Sequence, residues 1–226
     1  MRKKIFNWLG KEFIELSGEA KPATTAGLEA QELFQRYDRE LATHGLSLDN
    51  TVRSRLWGRD RESRDMGSNE RVKILSGKRR SASSSYISPG HFDSSAKIAV
   101  DLLAMKPDRP ESEKHIVEYD PPIAPIRFMV YESVIILSGV TAVLPNLKEQ
   151  LDNIMPRITG SLGDAGSSWE KVARVSFYLH RSETKDRLAN LFAQHVRAAI
   201  PQIEISFVDG YSSAGKLCEI EVTATN

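Results

Sequence analysis

Lys216-Leu217-Cys218-Glu219-Ile220-Glu221-Val222-Thr223-Ala224 runs at the C-terminal end of the chain with a period of two. Leu217, Glu219, Glu221 and Thr223 fall on one face, and Cys218, Ile220, Val222 and Ala224 on the other. That alternation predicts a β-strand. Two carboxylates on one face of such a strand have two readings. On an edge strand they keep the sheet soluble. In a pocket, Glu219 serves as a general acid or base, or as a hydrogen-bond acceptor. Spacing alone favours the edge strand.

The 226 residues are 40% hydrophobic, enough for one large domain or two small ones with separate cores. Lysine plus arginine number 31 against 30 acids, a net charge of +1, which points to neither a nucleic-acid nor a membrane partner. The single cysteine, Cys218, excludes an internal disulfide and a cysteine-based zinc cluster, and its apolar face predicts a core position. The five histidines, His44, His91, His115, His180 and His195, show no metal-ligand spacing. With no glycine-rich phosphate loop either, no metal and no cofactor are expected. No apolar run reaches spanning length, and the N-terminus lacks the apolar core of a signal peptide, so a cytoplasmic protein is expected.

Outward from the closing strand, the chain reads as one pattern used twice. Lys4–Leu9 and Glu12–Leu16 form a hairpin about Gly10-Lys11, ending in Ser17-Gly18. A helix follows over 26–44, with Leu28, Phe34, Tyr37 and Leu41 on one face and Gly45 as its stop. Thr51–Gly58 is a strand with Arg53, Arg55 and Trp57 on one side. Asp60–Asp65 reads as a solvated charged loop, and a second helix spans about 66–75. The serine-rich 79–88 ends strand-like at Tyr86-Ile87, and Lys97–Ala104 is a last strand.

Prolines and charges over 106–113 mark a linker. The order then restarts. Ile126–Val130 and Val134–Leu137 make a hairpin ending in Ser138-Gly139. A helix over 147–162, kinked at Pro156, precedes the strand 169–179. A helix over 185–198 and strands 203–208 and 217–223 complete the set. Each half thus reads β-β-α-β-α-β-β, giving domains at 1–106 and 116–226 with a linker at 107–115.

The chain resembles the Rid/YjgF family of imine and enamine deaminases. The resemblance rests on Asp120-Pro121-Pro122-Ile123-Ala124-Pro125, Val134-Ile135-Ile136-Leu137-Ser138-Gly139, Gly166–Val175 and Glu219-Ile220-Glu221-Val222-Thr223-Ala224. It covers about 116–226 in order, and the first half more loosely, through Leu16-Ser17-Gly18, Gly45–Trp57 and Asn69-Glu70-Arg71. It implies an α+β fold of two tandem chorismate-mutase-like units, each a sheet with two helices on one face. It also implies ligand clefts between neighbouring units. These would form in a homo-oligomer, a trimer of tandem chains, or by pairing of the two units within one chain, as in chorismatase-type enzymes.

Residue by residue, the resemblance carries the water-orienting acid onto Glu219 and the pocket serine onto Ser138, with Ser17 its counterpart in the first half. The pocket asparagine falls on Asn190 and Asn69. The family's carboxylate-binding arginine is replaced by Ile203, and the first-half acid position is Ala99, with Asp101 kept as the second acid. Arg55 and Arg174, on strands bordering the cleft, are candidate replacements for the missing anion anchor. The cluster Arg53, Arg55, Arg59, Arg61 and Arg64 otherwise reads as a solvated face paired with Asp60, Glu62 and Asp65. Trp57 and Tyr178 take equivalent places as core or inter-unit contacts.

The expected function is hydrolysis of an imine, enamine or related C–N small molecule with release of ammonia. The alternatives are a metabolite-binding or assembly protein without turnover, and a chorismatase-like hydrolase.

Overall fold

The computed structural model describes residues 1–226. β1 (Arg2–Trp8) and β2 (Lys11–Glu19) pair antiparallel across a two-residue turn. Leu9 (φ 54°) and Gly10 (φ 74°) both take the left-handed conformation that a type I′ turn demands. α1 (Ala26–Ala42) begins at Thr25, whose Oγ1 accepts from the Leu28 amide at 3.2 Å. Its inward face is Ala26, Ala30, Leu33, Phe34, Tyr37 and Leu41. Leu28, expected on that stripe, is 48% exposed, because it lies off the 30-33-34-37-41 line of the helix.

β3 (Thr51–Gly58), α2 (Arg61–Ile74), β4 (Ala82–Ile87) and β5 (Ile98–Lys106) complete the first sheet, in the order β1-β2-β5-β3-β4. The second unit comprises β6 (Lys114–Val117), β7 (Phe128–Tyr131), β8 (Val134–Leu137), β9 (Val140–Thr141), α3 (Leu147–Asp164), β10 (Val172–His180), α4 (Lys185–His195), β11 (Gln202–Val208) and β12 (Cys218–Thr225). Its order is β11-β10-β12-β8-β7-β6, with β9 also on β12. In both units the last strand lies inside the sheet, and the two strands beyond it run parallel, β3 with β4 and β10 with β11. The fold is α+β in two tandem units.

Each sheet buries one face under its own helices. Leu33, Phe34, Tyr37 and Leu41 meet Ile14, Leu16, Val100 and Leu102 in the first core. Leu151, Ile154, Ile158, Leu188 and Phe192 meet Val175, Phe177, Ile220 and Val222 in the second. The other faces pack against each other within the chain. Phe13, Leu103 and Met105 meet Met129, Tyr131 and Ile136, and Trp57 and Tyr86 meet Tyr178, Val208 and Tyr211. Tyr86 and Tyr178 stack at 4.0 Å.

Three expectations are corrected. The charged run 60–65 is no loop: Asp60 caps α2, its Oδ1 accepting from the Ser63 amide at 2.8 Å, and the run forms the first turn. Nor do Arg53 and Arg55 belong to a solvated face. They are buried at the unit interface, where Arg55 pairs with Glu221 at 2.7 Å. The helix expected over 185–198 ends at His195, and Val196 is already extended. Two strands were not anticipated: β6, which starts inside the stretch read as linker and pairs with β7, and the short β9, which pairs with β12. α3 continues through Pro156. No helix is long and apolar enough to cross a membrane.

Candidate active site

β12 runs between β10 and β8 with β9, which places Glu219 opposite Tyr178 on one side and Thr141 on the other. Its alternation turns Cys218, Ile220 and Val222 into the helix-side core and Glu219 and Glu221 toward the first unit. Both carboxylates are buried, at 6% and 4% exposure, so neither serves as an edge-strand solubiliser. Glu219 lies against the bare backbone of Gly139. A β-carbon there would stand 2.6 Å from the Glu219 carboxyl carbon, so only glycine admits the acid at this position.

The two acids differ sharply. Burial pushes the Glu219 carboxyl up to about 7, with Glu221 adding to the rise and Lys216, Tyr86 and Arg64 opposing it. Burial also pushes Glu221 up, but the guanidiniums of Arg55 and Arg53 outweigh it and hold Glu221 at about 2. Arg55 donates from Nε at 2.8 Å, Ser84 from Oγ at 2.5 Å and Tyr86 from Oη at 3.3 Å. Glu221 is thus a fixed, fully satisfied anion. Glu219 is free to gain or lose a proton near neutrality, as acid/base chemistry requires.

The cleft over Glu219 has a volume of about 290 Å³. One wall is Gly139, Thr141 and Lys216 of the second unit. The other is α2 and β4 of the first, with Arg64, Asn69, Arg71 and Ser83–Ser85. α2 turns Ser63, Gly67 and Arg71 inward at a four-residue spacing. The two small residues bring the helix down on its sheet, and Arg71 reaches the cleft floor. Its Nη1 donates to the carbonyls of Ser84 at 2.5 Å and Ser54 at 3.3 Å, and its Nη2 to Ser68 Oγ at 3.3 Å. Arg71 is buried without a carboxylate partner; burial and then Arg64 lower its pKa to about 10, which leaves it charged. Arg64 binds Asp65 at 2.6 Å and Ser85 Oγ, while its buried Nε has no partner. Lys216 donates to Ser212 Oγ at 2.6 Å. The cleft therefore offers one titratable acid facing several cations. An adjoining cavity of about 340 Å³ shares Arg71, Val72, Ser83 and Ala124, and adds Ile123 and Arg80.

Of the residues singled out in sequence, Glu219 and Asn69 share this cleft. Ser138 is buried beside it; its Oγ accepts from the Ser83 amide at 3.1 Å, tying the units together. Arg55 sits behind the cleft, neutralising Glu221. Arg174 lies elsewhere on the interface, its guanidinium 4.7 Å over Trp8 and 4.0 Å from Glu204. Ser17 pairs with Asp101 in the first sheet, and Asn190 is exposed on α4.

The vacancy at Ile203 has a structural answer. Ile203 stands opposite Val175 as Ser83 stands opposite Ser54, so Ser83 is its counterpart in the first unit. It is Ser83, on β4, that borders Glu219; Ile203 is 49% exposed on edge strand β11. The buried cation on this side of the cleft is Arg71, which comes from helix α2. Sequence reading put Arg64 on a solvated face and gave Arg71 and Lys216 no role; the inward Ser63–Gly67–Arg71 stripe was the signal available for Arg71.

No protein-family model matches the chain, and no curated protein matches it in sequence. Among solved structures, a chorismatase superposes on 98% of this chain, and on 79% of its own length, with a TM-score of 0.67 at 12% identity. A member of the YjgF/YER057c/UK114 family from Mycobacterium tuberculosis aligns over all of its length with 50% of this chain, at 20% identity and a TM-score of 0.46. A Rid-family protein from Yersinia pestis aligns over 99% of its length with 50% of this chain, at 17% identity and a TM-score of 0.46. The full-length superposition shows the fold: two α+β units paired in one chain, the arrangement shared with the chorismatase.

Proposed function

We propose that this chain is a hydrolase for a carboxylate-bearing imine or enamine, working in the cleft between its two units with Glu219 as the acid/base group. One observation carries the reading: a buried carboxyl raised to about 7 stands two residues from one held at about 2, and it faces an arginine with no carboxylate partner. The substrate carboxylate lies on Arg71, with Arg64 and Lys216 at the rim. Ionised Glu219 takes a proton from water as its oxygen adds to the imine carbon. That proton goes to the nitrogen, giving the neutral carbinolamine. Glu219 then carries the carbinolamine's hydroxyl proton to the same nitrogen as the C–N bond breaks and C=O forms, so imine plus water becomes carbonyl plus ammonia. The residues named in this reading all come from one chain.

A second reading is favoured by the full-length likeness to a chorismatase, namely hydrolysis of an enol ether. There protonated Glu219 would donate to the methylene carbon and water would add at the ether carbon. An alcohol and a keto acid would separate. Supplying 2-imino acids generated in situ, and chorismate in parallel, tests both. Ammonia released above the uncatalysed rate supports the first reading, and pyruvate released from chorismate the second. Saturable binding without turnover makes the protein a metabolite-binding one.

A further inference from the structure

β5 occupies in the first sheet the place of β12 in the second. Asp101 stands opposite Arg55 as Glu221 stands opposite Ser176, and Ala99 opposite Trp57 as Glu219 opposite Tyr178. A second cavity, of about 410 Å³, lies on the corresponding side of β5 and β3, facing β11 of the second unit. Trp57, His91 and Asp101 form one wall; Tyr178, Glu204 and Phe207 form the other. Ala99 in the place of Glu219 leaves it without the acid/base group.

Its electrostatics are the reverse of the first cleft. The cations on its lining are engaged within the protein, Arg55 with Glu221 at 2.7 Å and Arg181 with Asp209 at 2.7 Å. Asp101 accepts only the Trp57 indole N–H, at 2.8 Å, and its other oxygen has no protein partner. Glu204 accepts from Ser176 Oγ at 3.0 Å and Gln202 Nε2 at 2.6 Å, with Arg174 4.0 Å away. Aromatic faces surround these acids. His91 lies flat on Trp57 at 4.3 Å, the planes 12° apart, and burial lowers its pKa against the pull of Asp101, so the ring adds no positive charge at neutral pH. The unpartnered Asp101 oxygen, with the half-exposed Glu204 across the cavity and aromatic rings beside both, is complementary to a flat group that carries an ammonium.

We propose that this second cleft binds a protonated aromatic amine, at a site distinct from the Glu219 cleft. The ammonium lies between Asp101 and Glu204, and the ring packs on the His91–Phe207 side. Titration calorimetry of the intact protein with 2-phenylethylammonium chloride tests this, with sodium phenylacetate as the control of opposite charge. Saturable one-site binding of the amine is expected, with at least tenfold weaker binding of phenylacetate. Glu204→Gln and Asp101→Asn should each weaken the amine at least tenfold, and Glu219→Gln should leave it unchanged. Asparagine keeps the acceptor for Trp57, and Glu204 is half-exposed, so both variants remove charge with the fold intact. No saturable binding, equal binding of phenylacetate, or loss of amine binding in Glu219→Gln but not in Asp101→Asn would overturn the proposal.

Discussion

The carboxylate of Glu219 rests on the backbone of Gly139, the second residue of the Ser-Gly pair that ends the β7–β8 hairpin. A methyl group at 139 would stand 2.6 Å from the carboxyl carbon, well inside van der Waals contact. Gly139→Ala must therefore swing the acid out of its place. We expect a folded protein whose hydrolytic rate drops about 100-fold, the lower range of a general acid/base contribution. Circular dichroism and steady-state rates, measured together, check this.

Stability should fall as pH rises through the range of Glu219. Its carboxyl titrates at about 7 in the fold against an ordinary value of 4.5, so ionising it costs more folded than unfolded. The destabilisation begins near pH 4.5, is complete above about 7, and amounts to about 3 kcal/mol at 1.36 kcal/mol per pKa unit. Denaturant melts from pH 5 to 8 should show the decline in wild type and a flatter line in Glu219→Gln. Glu221 acts in the opposite sense. Held at about 2, it contributes stability above about 4.5 that is lost as pH falls toward 2.

Removing Arg55 alone should be costly. Arg55→Met strands the buried Glu221, whose next cation, Arg53, is 3.9 Å away. A loss of about 3 kcal/mol is expected. Adding Arg53→Met and Glu221→Gln to Arg55→Met should recover part of the loss, because none of the three then leaves a buried lone charge. Urea midpoints of the two variants decide it.

Arg71→Met should act on substrate binding more than on chemistry. With the guanidinium gone, KM for a carboxylate substrate should rise about tenfold or more while kcat changes less. A substrate amide, lacking the anion, should be indifferent to the substitution. Equal loss for both would place Arg71 in the scaffold alone.

Much of the fold was legible because it is written in local patterns. The alternation over 217–224, the Ser-Gly hairpin ends and the helix stripes suffice for two α+β units in order. Asp60–Asp65 misled because a charged first helical turn has the composition of a loop; its signal is the cap, Asp60 to the Ser63 amide. Arg53 and Arg55 misled for a related reason, since a charged face reads as solvated until a second sheet covers it. At the site, the strand face of Glu219 read as an edge, and it was the family resemblance that singled the residue out; its burial depends on the first unit covering that face. The role of Arg71 was not, because it depends on which strand of one unit meets which helix of the other. That pairing is non-local, and no spacing along the chain records it.

The central claim is that Glu219 performs acid/base work near neutrality on a small carboxylate-bearing substrate. The measurement that tests it most directly is the loss of a 2-imino acid against pH in wild type and Glu219→Gln. Activity should rise with a midpoint near 7, where the carboxyl ionises, and fall at least about 100-fold in the variant. Glu219→Gln as active as wild type across that range would contradict it.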